Sequence, residues 1–417
     1  MTFRSLIDRV ATGWLLLWLS FFAVYIHMGG LAFAGLVILL GAVGWVVWLT
    51  QRQEYPALTR PGLVCLSAFL IFFLWLGVSG LWSGAGPETA IRLAGQMALF
   101  ASIPILLRTR TEQTRDTLSH ILMAMSLGGV AVLALDVASG YGINTLLDPI
   151  GPGESLNKRQ GEAEMNIGRG HVVYALLTPL LIALFATRLS RGWAIAASLG
   201  FVAVLLTGTL LNRLAVAPVL LIGAAPLFWM GFRSPRWGLR LSLGAACASI
   251  LLAPLVGVIS RLMGEGVMAS LPMSWDHRLR MWDYSLARIS EAPLLGKGLD
   301  SSRNMQDAFT TRIGVDVPFV SLHPHNFGLQ TWMEAGALGA VLLTIALLTL
   351  YRPLRRLVGV DPWRSAAVSG TLMSATIASA VTVGAWQYWW WGLVGLGLTL
   401  AALIPSQHRL NTNRLTD

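Results

Sequence analysis

Long apolar runs dominate this chain, separated by short polar clusters in which Arg recurs. Twelve runs of roughly 16–24 residues stand out, close to the ~20 a helix needs to cross a bilayer core. They cover approximately Ala11–Met28, Gly30–Leu49, Gly62–Trp82, Ala90–Leu107, Thr117–Ala138 and His171–Ala186. Six more follow at Trp193–Leu210, Leu214–Phe232, Leu241–Ile259, Phe327–Leu350, Ala366–Val383 and Trp386–Ile404. The first run has no small-residue cleavage site and leads straight into the second, so it reads as a span and not as a signal peptide. The pattern predicts an all-α polytopic membrane protein, with residues 1–417 forming one integral-membrane domain.

Charge gives the orientation. With the N-terminus in the cytoplasm, the loops on that side hold 18 of the 30 Lys and Arg but only six of the 20 Asp and Glu. The inside sums to +12 and the remainder to −2, and basic residues recur in every short inside loop, as the positive-inside rule requires. Both termini are then cytoplasmic. The net charge of +10 reflects this topology. Nucleic acid is a poor partner, because the basic residues are dispersed and no aromatic-interleaved patch appears.

Composition agrees. Hydrophobic residues make up 55% and charged residues 12%, and the 43 Gly and 17 Trp suit close helix packing and interfacial anchoring. Cys65 and Cys247 fall inside apolar runs and read as small buried hydrophobes, so neither a disulfide nor a metal cluster is expected.

Two segments outside the spans are long: 139–170 and 260–326. They are predicted to be periplasmic and, as the only sizeable pieces in water, to hold the chemistry. In the larger one, Ser274 precedes a helix with Asp276 in its first turn. Trp275, Leu279, Trp282, Leu286 and Ile289 recur at spacings of 4, 3, 4 and 3, which makes one apolar face. Arg278, Arg280 and Arg288 lie on other faces. Pro293, Gly296 and Gly298 end the helix. A short amphipathic helix on the outer leaflet, or capping the bundle, fits best. For its Arg residues alone, a solvated or headgroup-binding face is the competing reading.

The segment closes with Ser321-Leu-His-Pro-His-Asn326, directly before a span. Histidine is the side chain best suited to act as a base near neutral pH. An interfacial His satisfied by water or backbone is the plainer alternative. Two His at i and i+2 without a Cys or carboxylate partner make poor zinc spacing. Arg169 precedes the sixth span, Arg213 sits between the seventh and eighth, and Arg92 lies near the outer end of the fourth. Ionisable groups at membrane depth usually face a polar cavity, or else snorkel to headgroups, the reading preferred for Arg92. Arginine forks bind phosphate oxygens and hold their protons, so an outside Arg cluster beside a His suits a lipid diphosphate.

His325-Asn326, then nine residues, then Gly336-Ala-Leu-Gly339 resembles the signature of the O-antigen ligase family, with its related polymerases and protein O-oligosaccharyltransferases. Arg278-Leu-Arg-Met-Trp282 and Ala292-Pro-Leu-Leu-Gly-Lys-Gly298 are similar to the family's Arg/Trp helix and its Pro-Leu-Leu-Gly turn. Asn212 stands where the family often has Ser before the Arg at 213. The resemblance covers roughly Arg169 to Gly339. It implies a GT-C-like all-helical membrane glycosyltransferase with a large periplasmic loop and metal-independent catalysis without a cofactor. It carries the general-base role to His325 and diphosphate contacts to Arg213 and Arg278. Arg169, Arg280, His323 and Asn326 are the candidate substrate contacts around them. Gly336 and Gly339 read as a smooth i, i+3 stripe for a neighbouring helix. Glu334 could orient a polar partner, most simply an Arg.

The implied donor is an undecaprenyl-diphosphate-linked glycan and the implied acceptor is lipid A–core, at the bacterial inner membrane. A growing glycan or a protein hydroxyl is the alternative acceptor. A transporter of an anionic substrate is a separate class. It would need a midplane site and repeated halves, and neither is evident.

Overall fold

The computed structural model describes residues 3–30, 33–51, 59–147, 156–212 and 216–405. It is almost wholly helical, as the apolar runs predict. Seven of the expected spans fall on helices long and apolar enough to cross a membrane alone. These are Arg60–Ser83, Glu88–Arg108, Glu112–Ala138, Gln160–Arg188, Arg191–Leu211, Val216–Arg233 and Phe327–Val358. An eighth, Pro235–Leu251 with Ala253–Leu262, is bent by 58°. Pro254 sits at the start of its second piece, where the missing N–H breaks the helical ladder.

By this measure the expected twelve are not reached, and the shortfall has physical reasons. Gly35–Thr50 and Tyr388–Leu403 are apolar but short. Phe3–Ser20 opens on Arg4, Asp8 and Arg9. Pro362–Val381 carries Ser365, Ser369, Thr371 and Ser374, all buried. That helix runs through the middle of the bundle, so its surface meets other helices and need not be lipid-like.

Two helices form the centre. The Leu156–Arg188 helix buries 78% of its apolar window. It crosses the Pro362–Val381 helix where Gly370 meets Pro179; a Cβ at Gly370 would stand 2.7 Å from Pro179 Cβ. Small residues repeat this on the other side of the Pro362 helix, where Gly231 lies against the Ser365 backbone. From the Pro179–Gly370 crossing, at 1.5 Å per residue, Arg169 is about 15 Å away at one end and Arg188 about 13 Å away at the other. Those two arginines therefore bracket about 28 Å, nearly the hydrocarbon thickness of a bilayer. Asp361 caps the Pro362 helix by accepting from Arg364 N–H, with Pro362 in the first helical position.

The 263–326 segment lies at the Arg169 end. Its amphipathic helix is present as Met273–Glu291. It starts just before Ser274, with Pro272 as the flanking residue, so Ser274 is inside the helix and caps nothing. Leu279, Trp282 and Ile289 are buried against Ala253, Leu329 and Met333. Gly257 permits that contact, since a Cβ there would lie 2.7 Å from Leu286 Cβ. The helix therefore caps the bundle. A short antiparallel hairpin follows, Ala308–Thr310 with Asp316–Pro318, the only strands among the described residues.

Gly336 departs from its expected role. Its φ is +67° inside the Phe327–Thr349 helix, so it breaks the helix there. A Cβ on Gly336 would sit 2.3 Å from Leu294 O, and one on Gly296 would sit 2.5 Å from Glu334 C. The Pro-Leu-Leu-Gly turn is seated in the break: Ala337 N–H donates to Pro293 O at 2.9 Å and Gly298 N–H to Glu334 O at 2.8 Å. Gly339 keeps the expected role, facing Trp75 of the Arg60 helix.

Candidate active site at one end of the bundle

The Pro362 helix ends at Val381, and an α-helix leaves its last carbonyls without partners. Three side chains take them in succession. Asn326 Nδ2 donates to Ala380 O at 2.9 Å, Arg278 Nε to Val381 O at 3.2 Å, and His325 Nδ1 to Thr382 O at 3.0 Å. The Arg/Trp helix and the His-Pro-His-Asn motif, 47 residues apart in sequence, thus meet on one helix terminus. Trp282 Nε1 reinforces this by donating to Pro324 O at 2.9 Å. Asn326 also caps the next helix, its Oδ1 accepting from Leu329 N–H at 2.9 Å.

His325 is held in an uncommon backbone state, with φ +50°. For a non-glycine residue that conformation costs roughly 1–3 kcal/mol and persists only where the surroundings impose it. Because Nδ1 donates to Thr382 O, the second ring nitrogen, Nε2, carries the lone pair. Nε2 has no hydrogen-bond partner among the described residues. Burial lowers the His325 pKa below 6.5; the Thr382 carbonyl opposes this, and the nearby charges of Arg278 and His277 add to it. The ring is neutral at neutral pH, with its basic nitrogen uncommitted.

His323 packs edge-on against His325, ring centroids 4.6 Å apart. Its Nδ1 accepts from the His325 backbone N–H at 3.2 Å, and its Nε2 lies 3.1 Å from the Gln387 amide. Burial, then repulsion from His325 when that ring is protonated and from the Arg303 charge, hold its pKa down to about 3. His323 therefore supports the loop and stays uncharged. Arg278 completes the group. Nη1 donates to Ser274 O at 3.0 Å and the guanidinium lies 5.6 Å from the centre of the Trp275 ring. Nη2 makes no hydrogen bond among the described residues. Burial lowers the Arg278 pKa below the usual arginine value, but an arginine there still keeps its proton.

Glu334 braces these parts from below. It is fully buried, and its carboxylate meets four neutral donors. Oε1 lies 2.5 Å from Ser302 Oγ and 3.0 Å from Gln330 Nε2; Oε2 accepts from Asp300 N–H and Trp386 Nε1, each at 2.6 Å. Ser302 Oγ is also 3.1 Å from Leu322 O, and Gln330 Oε1 accepts from Ala385 N–H at 2.7 Å. Both walls around His323 are tied to this one side chain, through Leu322 on one side and through 385–387 on the other. The Arg expected beside Glu334 is not its partner.

Residues 175–344 match the family model described as O-antigen ligase. Over this stretch the chain is similar to the O-antigen ligase family. Curated relatives bear the name "Putative polysaccharide ligase". The one from Rickettsia conorii is 30% identical over 132 residues, 31% of each chain. That from Rickettsia bellii is 27% identical over 165 residues, 38% of this chain and 39% of its own. That from Rickettsia prowazekii is 31% identical over 133 residues, 31% of this chain and 32% of its own. The matched stretch spans about a third of the length of these relatives. The family match takes in the Arg278 helix and the whole His325–Gly339 motif.

The sequence-derived candidates of this ligase-like site sort as follows. Arg278, His323, His325 and Asn326 come together. Arg280, two residues from Arg278, points to the far side of its helix. It pairs with the buried Asp276 at 3.0 Å and stacks on Phe309, 5.5 Å from the ring centre. Its role there is to fasten the hairpin. Arg169 is half-buried and lies inside the Leu156–Arg188 helix, not before its span as expected, bonded to Asn166 Oδ1 at 3.3 Å. By the helix rise it stands at about the level of Ala380. Arg213 lies outside the described residues. Arg92 is exposed and pairs loosely with Glu88 at 3.7 Å.

Sequence reasoning missed Gln387 and the carbonyl end at 380–382. It also missed a buried pair at the same end of the bundle, His27 Nε2 to Asp136 Oδ2 at 2.9 Å. Asp136 further accepts from Ile143 and Asn144 N–H, capping the short Gly142–Leu147 helix. An Asp inside the Thr117–Ala138 apolar run was the available signal. Cys65 and Cys247 are free and buried.

Proposed function

We propose that this chain is an inverting, metal-independent glycosyltransferase. In this reading it moves O-antigen polysaccharide from undecaprenyl diphosphate to a hydroxyl of lipid A–core at the periplasmic face of the bacterial inner membrane. The observation that carries the proposal is the neutral His325 with Nε2 uncommitted beside the Arg278 guanidinium. His325 Nε2 takes the proton of the acceptor hydroxyl. The acceptor oxygen forms a bond to the anomeric carbon as the bond from that carbon to the diphosphate oxygen breaks. The electron pair leaves with the diphosphate, and Arg278, with Arg213 and Arg169, stabilises the developing charge. Attack opposite the leaving group inverts the anomeric centre. His323 and Asn326 hold the His325 loop, while the 260–326 segment closes over the site.

Three features favour this over a transporter. The candidate residues gather at one end of the bundle, the free ring nitrogen has no part in simple passage, and the family match names a ligase. The test uses purified full-length protein with polyprenyl-diphosphate glycan and three acceptors: lipid A–core, a second glycan and a Ser/Thr peptide. Lipid A–core should be glycosylated with inverted configuration. His325→Ala should lose about 10²–10⁴-fold in rate, the usual worth of a general base. A folded His325→Ala protein working at the parental rate would refute the mechanism. A product with retained configuration would refute single displacement, and transfer only to glycan or peptide would replace the acceptor.

A further inference from the structure

At the end of the bundle opposite His325 lies a cavity of about 230 Å³ lined by Glu112, Arg115, Arg188, Arg364 and the 402–405 backbone. Three helices and the Ala401–Leu403 turn, the last among the described residues, build it. Arg364 Nε and Nη2 both donate to Ile404 O, at 2.8 and 2.7 Å. Arg188 Nη2 donates to Leu403 O at 2.9 Å, and Nη1 pairs with Asp116. Both guanidinium groups are therefore fixed in place by the Leu403 and Ile404 carbonyls. The Arg188 Nε–H is buried and has no partner among the described residues. Arg115 faces the same space from one helical turn further along, and Arg108 is close enough to act on Arg364 as well. Three guanidinium groups thus share one recess with one lining carboxylate, Glu112, while Asp116 pairs with Arg188 and Asp361 acts on Arg364 from beyond the lining. Like charges brought together out of water repel, and a bound anion with several acceptor oxygens relieves this.

Depth narrows the identity of that anion. Arg364 stands about 9 Å and Arg188 about 13 Å from the Pro179–Gly370 crossing, by helix rise. With the crossing at the midplane and a core half-thickness of about 15 Å, both Cα atoms lie just inside the core boundary, within reach of headgroups for an arginine side chain. We infer that this recess binds the headgroup phosphate of an anionic lipid in the leaflet opposite His325, with Arg115, Arg188 and Arg364 as its ligands. The assignment is independent of the glycan-transfer reading, since none of these residues is near the His325 loop.

The experiment is native mass spectrometry of the full chain released from nanodiscs of dioleoylphosphatidylglycerol, dioleoylphosphatidylcholine, or their mixture. Phosphatidylglycerol should be retained and phosphatidylcholine lost. Arg115→Gln should lower retention roughly five-fold, the worth of one basic residue near a charged headgroup. Glu112→Gln should raise it, because a competing carboxylate is gone. Arg356→Gln, an exposed arginine at the same end, should leave it within two-fold. Equal retention of both lipids, or phosphatidylglycerol retention unmoved by Arg115→Gln and Glu112→Gln, overturns the inference. Lipid-free protein is then titrated with inorganic phosphate. If millimolar phosphate raises its melting temperature in an Arg115-dependent way while phosphatidylglycerol does not bind, the lipid assignment falls and a soluble phosphate takes its place.

Discussion

Replacing Glu334 by Gln tests whether the carboxylate beneath the site positions the His325 loop. Asp300 N–H and Trp386 Nε1–H can only donate, and both point at Oε2. They therefore fix the new amide with its oxygen on that side. The amide nitrogen then faces Ser302 and Gln330. Ser302 Oγ can accept from it and give its own proton to Leu322 O, already 3.1 Å away. Gln330 cannot adapt, because its oxygen is needed by Ala385 N–H. One buried donor is left without an acceptor, a loss of about 1–3 kcal/mol. Glu334→Leu leaves three such donors and should lose roughly 3–9 kcal/mol, enough to threaten folding. The two variants should be ranked by thermal unfolding in detergent, followed by Trp fluorescence. The kinetic effect should fall on turnover. Gln330 holds Ala385, next to Gly384, on which the His323 ring rests; a Cβ at Gly384 would lie 2.7 Å from that ring. A slack 383–387 segment lets the His323–His325 pair drift, and misplacement by about 1 Å can cost up to ~10²-fold. Glu334→Gln should therefore lower kcat by ten-fold or more with KM nearly unchanged, and shift the acid limb of the pH profile toward 6.5 as His325 gains solvent. Parental kcat and pH profile in a Glu334→Gln protein, whatever its stability, would refute the positioning role.

The remaining predictions are shorter. Arg278→Lys should retain charge but lose the double anchoring to Val381 O and Ser274 O, so activity should drop markedly in steady-state assays while the fold survives. Activity in the parental protein should fall on the acid side with an apparent pKa below 6.5, since only neutral His325 is a base and its pKa is depressed. Stability has the same sign: buried His323 is fully tolerated above about 6.5, and its penalty grows as pH falls toward about 3, so unfolding in a pH series should ease across that window. Gly336→Ala should destabilise by a few kcal/mol in thermal melts, because φ +67° disfavours a side chain and its Cβ would strike Leu294 O.

How much of this was legible in sequence follows from what each signal encodes. Hydrophobic run length reports lipid exposure, so helices facing lipid were found with nearly their observed bounds. Run length does not tell which helices face other helices: the Leu156–Arg188 helix, 78% buried over its apolar window, appears as a run like the rest. Pro362–Val381 still appears as a run, from Ala366, but its buried Ser and Thr reflect packing and not solvent, and its central place could not be read. Period gave the Met273 helix and its buried Leu279–Trp282–Ile289 face correctly. The same period could not decide what opposite-facing Arg residues meet, which is why Arg278 and Arg280 looked alike. They differ because the first faces the carbonyl end of the Pro362 helix and the second faces Asp276.

The Gly336–Gly339 spacing shows most clearly where pattern and mechanism part. Two glycines at i, i+3 fit a helix-packing stripe, and Gly339 behaves that way. Gly336 instead has the left-handed φ that breaks the helix, which no spacing rule reveals. Its consequence links two motifs that sequence can only place side by side. The break receives the Pro-Leu-Leu-Gly turn, and the residues just after that turn, Asp300 and Ser302, bond to Glu334 two residues before the break. Glu334 in turn holds Trp386 directly and Ala385 through Gln330, beside the Thr382 carbonyl that fixes the His325 ring. The distance between His325 and Gly336 in the motif is thus the length of helix needed to carry the site at one end and its brace at the other. A one-residue insertion between Gln330 and Glu334 should rotate the carboxylate about 100° away from its four donors while leaving His325, Asn326 and both glycines unchanged in identity. Such a variant should lose transfer activity as fully as His325→Ala; if it stays active, the brace is dispensable.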